Sequence, residues 1–318
     1  MKYRHLFPTG ILVAGIFVLG SISSLEAQQW AERIPGNAGE WNVQALRPAG
    51  QPVIPIFDGW ILEEDGTANL CLGYINLNFD EALEIPLGPN NYIEPARYNG
   101  MQPTYFNPVP MNAGNKQRHY CLFTVNVPVG DTESVVWHLG RDYQDYSVPA
   151  HARSEYYRVD DLFFPTDRAN RGGSMAPIVR FVEPEGPEGI GKGTRGGKRV
   201  GPVTASVGEP LTLTLAVNQP SPEEYPEVAP YTIGPSRGEG EPKTFTVFWQ
   251  KYSGPSDILG IVTFSENEFE VGPGEGIGTT TAMFQEPGEY VLLVQVINGG
   301  FDNQCCWTNG YVEVTVTE

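Results

Sequence analysis

The sequence predicts an all-β protein made of two β-sandwich domains joined by a Gly/Pro-rich linker. Three observations lead there. Apolar and polar residues alternate with a period of two, as in Leu211, Leu213, Leu215 and Val217 against Thr212, Thr214 and Ala216; this is the spacing of strands with one buried face. Turn formers are abundant, with 37 Gly and 28 Pro in 318 residues, and no long stretch carries a 3.6-residue apolar repeat. Short alternating runs between turns are the pattern of sandwiches, and about 290 residues beyond the first 27 suit two domains.

The N-terminus sets the compartment. Lys2 and Arg4 precede an apolar run from Ile11 to Ile22, closed by Leu25-Glu26-Ala27. This is the layout of a secretory signal peptide over residues 1–27. The run is shorter than the ~20 apolar residues of a membrane-spanning helix, so cleavage after Ala27 is expected rather than anchoring. The residue directly after Ala27 is Gln28 and not Cys, which argues against a lipid anchor, and no later stretch is apolar enough to span a bilayer. The mature chain is expected outside the cytoplasm, in the periplasm, on the cell surface or secreted. Losing Lys2, Arg4 and Glu26, a net of +1, takes the formal charge from −18 to −19. Such a charge repels nucleic acid and anionic membranes, and it favours solubility, cations or basic partners.

Residues 28–51 read as a polar leader. The first domain spans 52–183. Ile56–Leu62 reads as a strand, Glu64-Asp65-Gly66 as a hairpin turn, and Ala68–Asn78 as a central partner strand with apolar residues on both faces. Tyr120–Val127 and Glu133–Leu139 alternate likewise, and Arg153–Val159 reads as a closing strand. Between Pro86 and Gly114 lies a long insert rich in Pro, Asn, Tyr and Gly, the kind of irregular stretch that carries function or mobility. Residues 184–202 are Gly-rich and read as a flexible linker, with Lys192, Arg195, Lys198 and Arg199 as a basic island.

The second domain spans 203–318. Phe245, Val247 and Trp249 share a face, as do Tyr290, Leu292, Val294 and Val296, and Val312, Val314 and Val316 against Tyr311, Glu313, Thr315 and Thr317. Each set predicts one buried and one wet face. The Pro-rich stretch Gln219–Pro242 is loop. Of the four cysteines, Cys71 and Cys121 lie in predicted strands of one domain and are expected to pair in an oxidising compartment. Cys305 and Cys306 are adjacent, which leaves a strained vicinal bridge, two free thiols or a cross-chain bridge open.

Trp249-Gln250-Lys251-Tyr252-Ser253-Gly254-Pro255, Val262-Thr263-Phe264, Ala282-Met283-Phe284 and Pro287-Gly288-Glu289-Tyr290 together resemble the PKD-like branch of the immunoglobulin-like fold. The resemblance covers about 115 residues and implies a core Trp on the third strand and a tyrosine corner at Tyr290. Gln250-Lys251-Tyr252 stand where many PKD domains carry an Asp/Gly-rich motif. The first domain is similar only to uncharacterised exported bacterial proteins, through Asp58-Gly59-Trp60, Leu72–Asn76 and Ile85–Asn91. Fold alone does not assign function.

No residue set for catalysis emerges. The mature chain has His119, His138 and His151, no Gly-x-Ser-x-Gly elbow and no Cys-x2-Cys or His-Glu-x2-His. Asp160-Asp161, Asp142 with Asp145, and Glu223-Glu224 with Glu227 are the acidic groups that could hold calcium, although the D-x-D-x-D-G loop is missing. No other cofactor is expected. The reading is therefore an exported, non-enzymatic binding or structural module of the cell envelope or exterior, meeting a protein or glycan partner. The alternative is a carbohydrate-active hydrolase or its accessory glycan-binding component. Tyr92, Tyr105 and Phe106 in the insert, and Phe301, Trp307 and Asn309 before the last strand, are the expected partner contacts.

Overall fold

The computed structural model describes residues 49–78, 80–108, 118–141, 144–159, 176–218, 244–255, 260–272, 276–298 and 307–318. The signal peptide, most of the leader, Phe301, Cys305 and Cys306 lie outside them. Strands dominate, as the period-two pattern requires. In the N-terminal half they are β1 (Val53–Leu62), β2 (Thr67–Asn76), β3 (Leu83–Glu84), β4 (Asn91–Glu94), β5 (Tyr105–Phe106), β6 (Arg118–Pro128), β7 (Val135–Arg141) and β8 (Gln144–Ala150). In the C-terminal half they are β9 (Ile178–Glu183), β10 (Glu188–Gly189), β11 (Lys198–Ser206), β12 (Pro210–Asn218), β13 (Phe245–Ser253), β14 (Val262–Phe264), β15 (Glu268–Val271), β16 (Gly276–Phe284), β17 (Gly288–Asn298) and β18 (Trp307–Thr317).

The N-terminal half sets the antiparallel sheet β1-β2-β6 against β4-β7-β8, with β3-β5 as a small third ladder. The Asp65-Gly66 turn forms as expected, Gly66 taking φ 78° and donating its N–H to Glu63 O. Leu70, Leu72, Phe123, Val125, Trp137 and Leu139 fill the space between the sheets. Arg153–Val159 is not a closing strand. It makes a helical turn at Glu155–Tyr157 and touches β1 through Val159 N–H to Trp60 O (2.8 Å) and Trp60 Nε1–H to Ser154 O (2.9 Å).

The Pro86–Gly114 insert, where described, is held from inside. Asn91 is fully buried and donates to Ile85 O and Pro103 O (both 2.8 Å), while its Oδ1 accepts the Trp137 indole N–H at 3.0 Å. Gln102 adds bonds to Asn91 O and Asn99 Oδ1. Asn91→Ala removes three buried bonds and orphans their partners. At about 1 kcal/mol per bond, with more for the orphans, urea unfolding is expected to show a loss of about 3 kcal/mol. A loss under about 0.5 kcal/mol, the size of an ordinary surface change, contradicts the anchoring.

The C-terminal half is a sandwich of two five-stranded sheets, β10-β9-β12-β16-β14 and β11-β18-β17-β13-β15. Its core holds Leu213, Leu215, Val247, Trp249, Leu292, Val294, Val312 and Val314, the alternating residues of the sequence reading. Tyr290 makes the expected corner, its hydroxyl donating to Glu286 O at 2.9 Å.

Two expectations are corrected. First, Ile178–Glu183 belongs to the second sandwich: it pairs with β12, and Val179 and Phe181 enter that core. Residues 184–202 are then no free linker between domains but the crossing from one sheet of this sandwich to the other, ending in β11, which pairs parallel with β18. Its glycines serve close packing. Gly193, at φ 59°, would place a Cβ 2.3 Å from Thr124 Cγ2, and Lys192 is buried rather than part of a solvated basic island.

Second, the supposed wet face of the β18-β17-β13 sheet is covered. Leu293, Tyr311 and Tyr252 belong to the core of the N-terminal half, and Val291 packs against it. β13 is buried along both faces except at Ser253. The two halves therefore share one apolar seam. At roughly 25 cal/mol per Å² of apolar surface removed from water, such a seam favours docking of the halves over independent tumbling.

Candidate functional site

The seam is also where the buried polar groups gather. A wide bulge opens in β6, where register passes from Leu72–Phe123 to Tyr74–His119 opposite Gly73. Only glycine fits there, because a Cβ on Gly73 would stand 2.0 Å from His119 O. β1 bulges beside it and turns Asp58 inward. The Asp58 carboxylate pairs with the Arg118 guanidinium and accepts the Cys121 N–H at 2.8 Å. Burial pulls the Arg118 guanidinium below its ordinary pKa, against the opposing effect of Tyr120, over whose ring it lies. The Cys71–Cys121 disulfide forms as expected. It packs with Ile61 from the N-terminal half and Ile297 and Trp307 from the C-terminal half.

From the bulge outward, side chains of one half bond the backbone of the other. Tyr311 Oη donates to Leu122 O (2.7 Å) and Asn309 Nδ2 to Cys121 O (3.0 Å). His119 reaches Asn107 O through Nε2 (3.0 Å) and faces the Gln295 carboxamide on β17. Burial pushes the His119 imidazole down to about 4, and its two hydrogen-bond partners oppose this less strongly. The sign follows. An unfolded His takes up its proton near pH 6.5, and the folded one resists until about pH 4. Stability is then fully present above pH 6.5 and falls as pH drops through that window, by about 3 kcal/mol in all. His119→Gln is expected to flatten unfolding free energy between pH 6.5 and 4; an unchanged slope contradicts a buried neutral His119.

Farther along β13 lies the most unusual pair. Lys251 Nζ meets the Glu84 carboxylate with side-chain exposures of only 4% and 2%. Tyr105 stands beside it, its phenol pushed up to about 12 by burial and then by the Glu84 charge. A cavity of about 290 Å³ opens against this pair, at the β13 edge beyond β15. Glu84 and Tyr105 come to it from the N-terminal half, Gln250 and Lys251 from β13, Thr263 from β14 and Asn267 from the turn before β15. Among the described residues, Gln250 Oε1 and Trp249 Nε1 are buried and have no hydrogen-bond partner, a cost of roughly 1–3 kcal/mol each.

The expected contact residues divide. Phe106 is fully buried, between Tyr74 and Trp137; Trp307 (4% exposed) sits on the disulfide cluster; Asn309 is fully buried in the seam. These three are buried strand residues, Phe106 on β5 and Trp307 and Asn309 on β18, and not exposed loop positions. Tyr92 remains half-exposed and stacks on His138 at 4.3 Å, and Tyr105 lines the cavity. Of the acidic calcium candidates only Asp145 is described, and among the described residues no group of three or more His, Cys, Asp or Glu could hold a metal. Glu84, Gln250 and Lys251 were not singled out as site residues by the sequence. Their signal was a Gln-Lys pair inside the otherwise apolar strand Phe245–Tyr252.

No protein-family model matches the chain, and no curated protein matches it. Among solved structures the chain is similar to the D0-D1 domain of Intimin, at 11% identity over 83% of this chain and 98% of that one, with a TM-score of 0.23. It is also similar to domains 4 and 5 of the S-layer protein SbsC, at 11% identity over 58% and 66%, TM-score 0.23. The Yersinia pseudotuberculosis adhesin InvE is similar at 8% identity over 82% and 58%, TM-score 0.21. At these scores the likenesses carry no weight for activity, ligand or partner.

Proposed function

We propose that this chain is an exported, non-enzymatic binding or structural module acting outside the cytoplasm on a protein or glycan partner. The observation that carries the reading is the disulfide-backed seam. A buried Cys71–Cys121 bridge beneath a core shared by two sandwiches suits an oxidising compartment and a rigid scaffold. The charged N-terminus and apolar run of residues 1–27 supply the export signal. Holding geometry, not performing chemistry, is what the seam's polar side chains do: Asn309 and Tyr311 bond backbone across it, and His119 faces the Gln295 carboxamide.

The hydrolase alternative is less well supported. Glycoside cleavage uses two facing carboxylates. Among the described residues lining the cavity Glu84 is the one carboxylate, and Lys251 neutralises it. That arrangement holds a ligand more readily than it cleaves one. The test is fractionation of the native host. The chain is expected in the envelope or medium, beginning at Gln28 and with Cys71 and Cys121 oxidised. An uncleaved, reduced chain in the cytosol overturns the reading.

A further inference from the structure

We infer that the cavity at the seam binds one neutral, sugar-like ring, a polyhydroxylated molecule with no net charge. The inference rests on the binding reading above and adds the chemical class of the ligand.

Size limits the choice first. A volume of about 290 Å³ stands at the lower end of the roughly 300–1,000 Å³ found for small-molecule sites. A ligand the size of a single pyranose ring suits that volume.

Charge limits it next. Among the described lining residues the charged side chains are Glu84 and Lys251, and they are committed to each other. An entering anion or cation competes for one of them and leaves its partner a buried charge without a counter-ion, which is strongly unfavourable. A neutral molecule leaves the pair intact.

Hydrogen bonding then points to hydroxyls. Gln250 offers an unmet acceptor and Trp249 an unmet donor, and both residues line the cavity. A hydroxyl donates and accepts, so one kind of ligand group satisfies both. Both atoms are buried in the ligand-free chain. The terminal torsion of a Gln side chain is broad and two-fold, so its carboxamide can turn toward a ligand at small cost. Tyr105 adds a phenol that keeps its proton at neutral pH, and Ile261 and Phe264 give an apolar wall for the C–H face of a ring.

The experiment uses the ¹⁵N-labelled mature chain, with the Trp249 indole signal assigned through Trp249→Phe. The probes are the methyl pyranosides of glucose, galactose and N-acetylglucosamine, with acetate and tetramethylammonium as charged controls. At least one glycoside is expected to move the Trp249 signal saturably, and the controls to leave it in place. Gln250→Leu removes the acceptor while keeping a similar volume. It is expected to weaken the glycoside about tenfold and to leave the ligand-free melting temperature unchanged or higher. Thr263→Tyr, at an exposed rim position, is expected to block entry without touching the core. Failure of every glycoside to move the signal overturns the inference. So does tighter binding of a charged control, or wild-type binding by both variants. Export is decided separately: a chain that is exported and oxidised yet binds no glycoside sinks only this inference, and a reduced cytosolic chain sinks the earlier reading whatever the titration shows.

Discussion

Replacing Lys251 by Met is expected to cost about 3–5 kcal/mol in urea unfolding, the range for stranding one member of a buried ion pair. The Glu84 side chain is 2% exposed, so little solvation compensates the stranded carboxylate. The double variant Glu84→Gln, Lys251→Met is expected to regain most of the loss, because removing both charges also removes their desolvation penalty. Glu84→Gln alone also has a spectroscopic readout. The Glu84 charge is one cause of the raised Tyr105 phenol, so tyrosinate absorbance should appear at lower pH in that variant. A single-variant loss below about 1 kcal/mol, the size of an exposed pair, would show that the seam is open to water at this point.

Removing the disulfide is the second large effect. Cys71 and Cys121 are 50 residues apart, and closing a loop of that length restricts the unfolded chain by about 4 kcal/mol in the chain-entropy treatment. The double change Cys71→Ala, Cys121→Ala is expected to lose about that much. Because Trp307 and Ile297 rest on the bridge, the loss should also loosen the seam and raise quenching of Trp307 fluorescence. Equal stability in the oxidised and reduced protein contradicts both parts.

Much of the fold was legible in the sequence. Leu213, Leu215, Val312 and Val314 alternate with polar neighbours because one side of their sheets faces a core, and Tyr290 announced its corner by following Pro287-Gly288. The seam was less legible. Alternation reports only whether a face is wet, and a face covered by another part of the chain keeps polar residues such as Gln295 and Asn309 when they meet His119 and Cys121 O across the contact. The clue was that Phe248, Tyr252, Leu293 and Tyr311 stood on faces read as wet. The crossing at 184–202 was misread for a related reason. Glycine signals both flexibility and close packing, and only contacts such as Gly193 on Thr124 tell them apart. Glu84 and Lys251 escaped because they are about 170 residues apart in sequence, beyond any local motif.

The central claim is that the two halves unfold as one body because Leu293, Tyr311 and Tyr252 complete the core of the other half. Differential scanning calorimetry of the mature, oxidised chain tests it most directly. A single transition whose calorimetric and van't Hoff enthalpies agree is the predicted result; two separable transitions would contradict it.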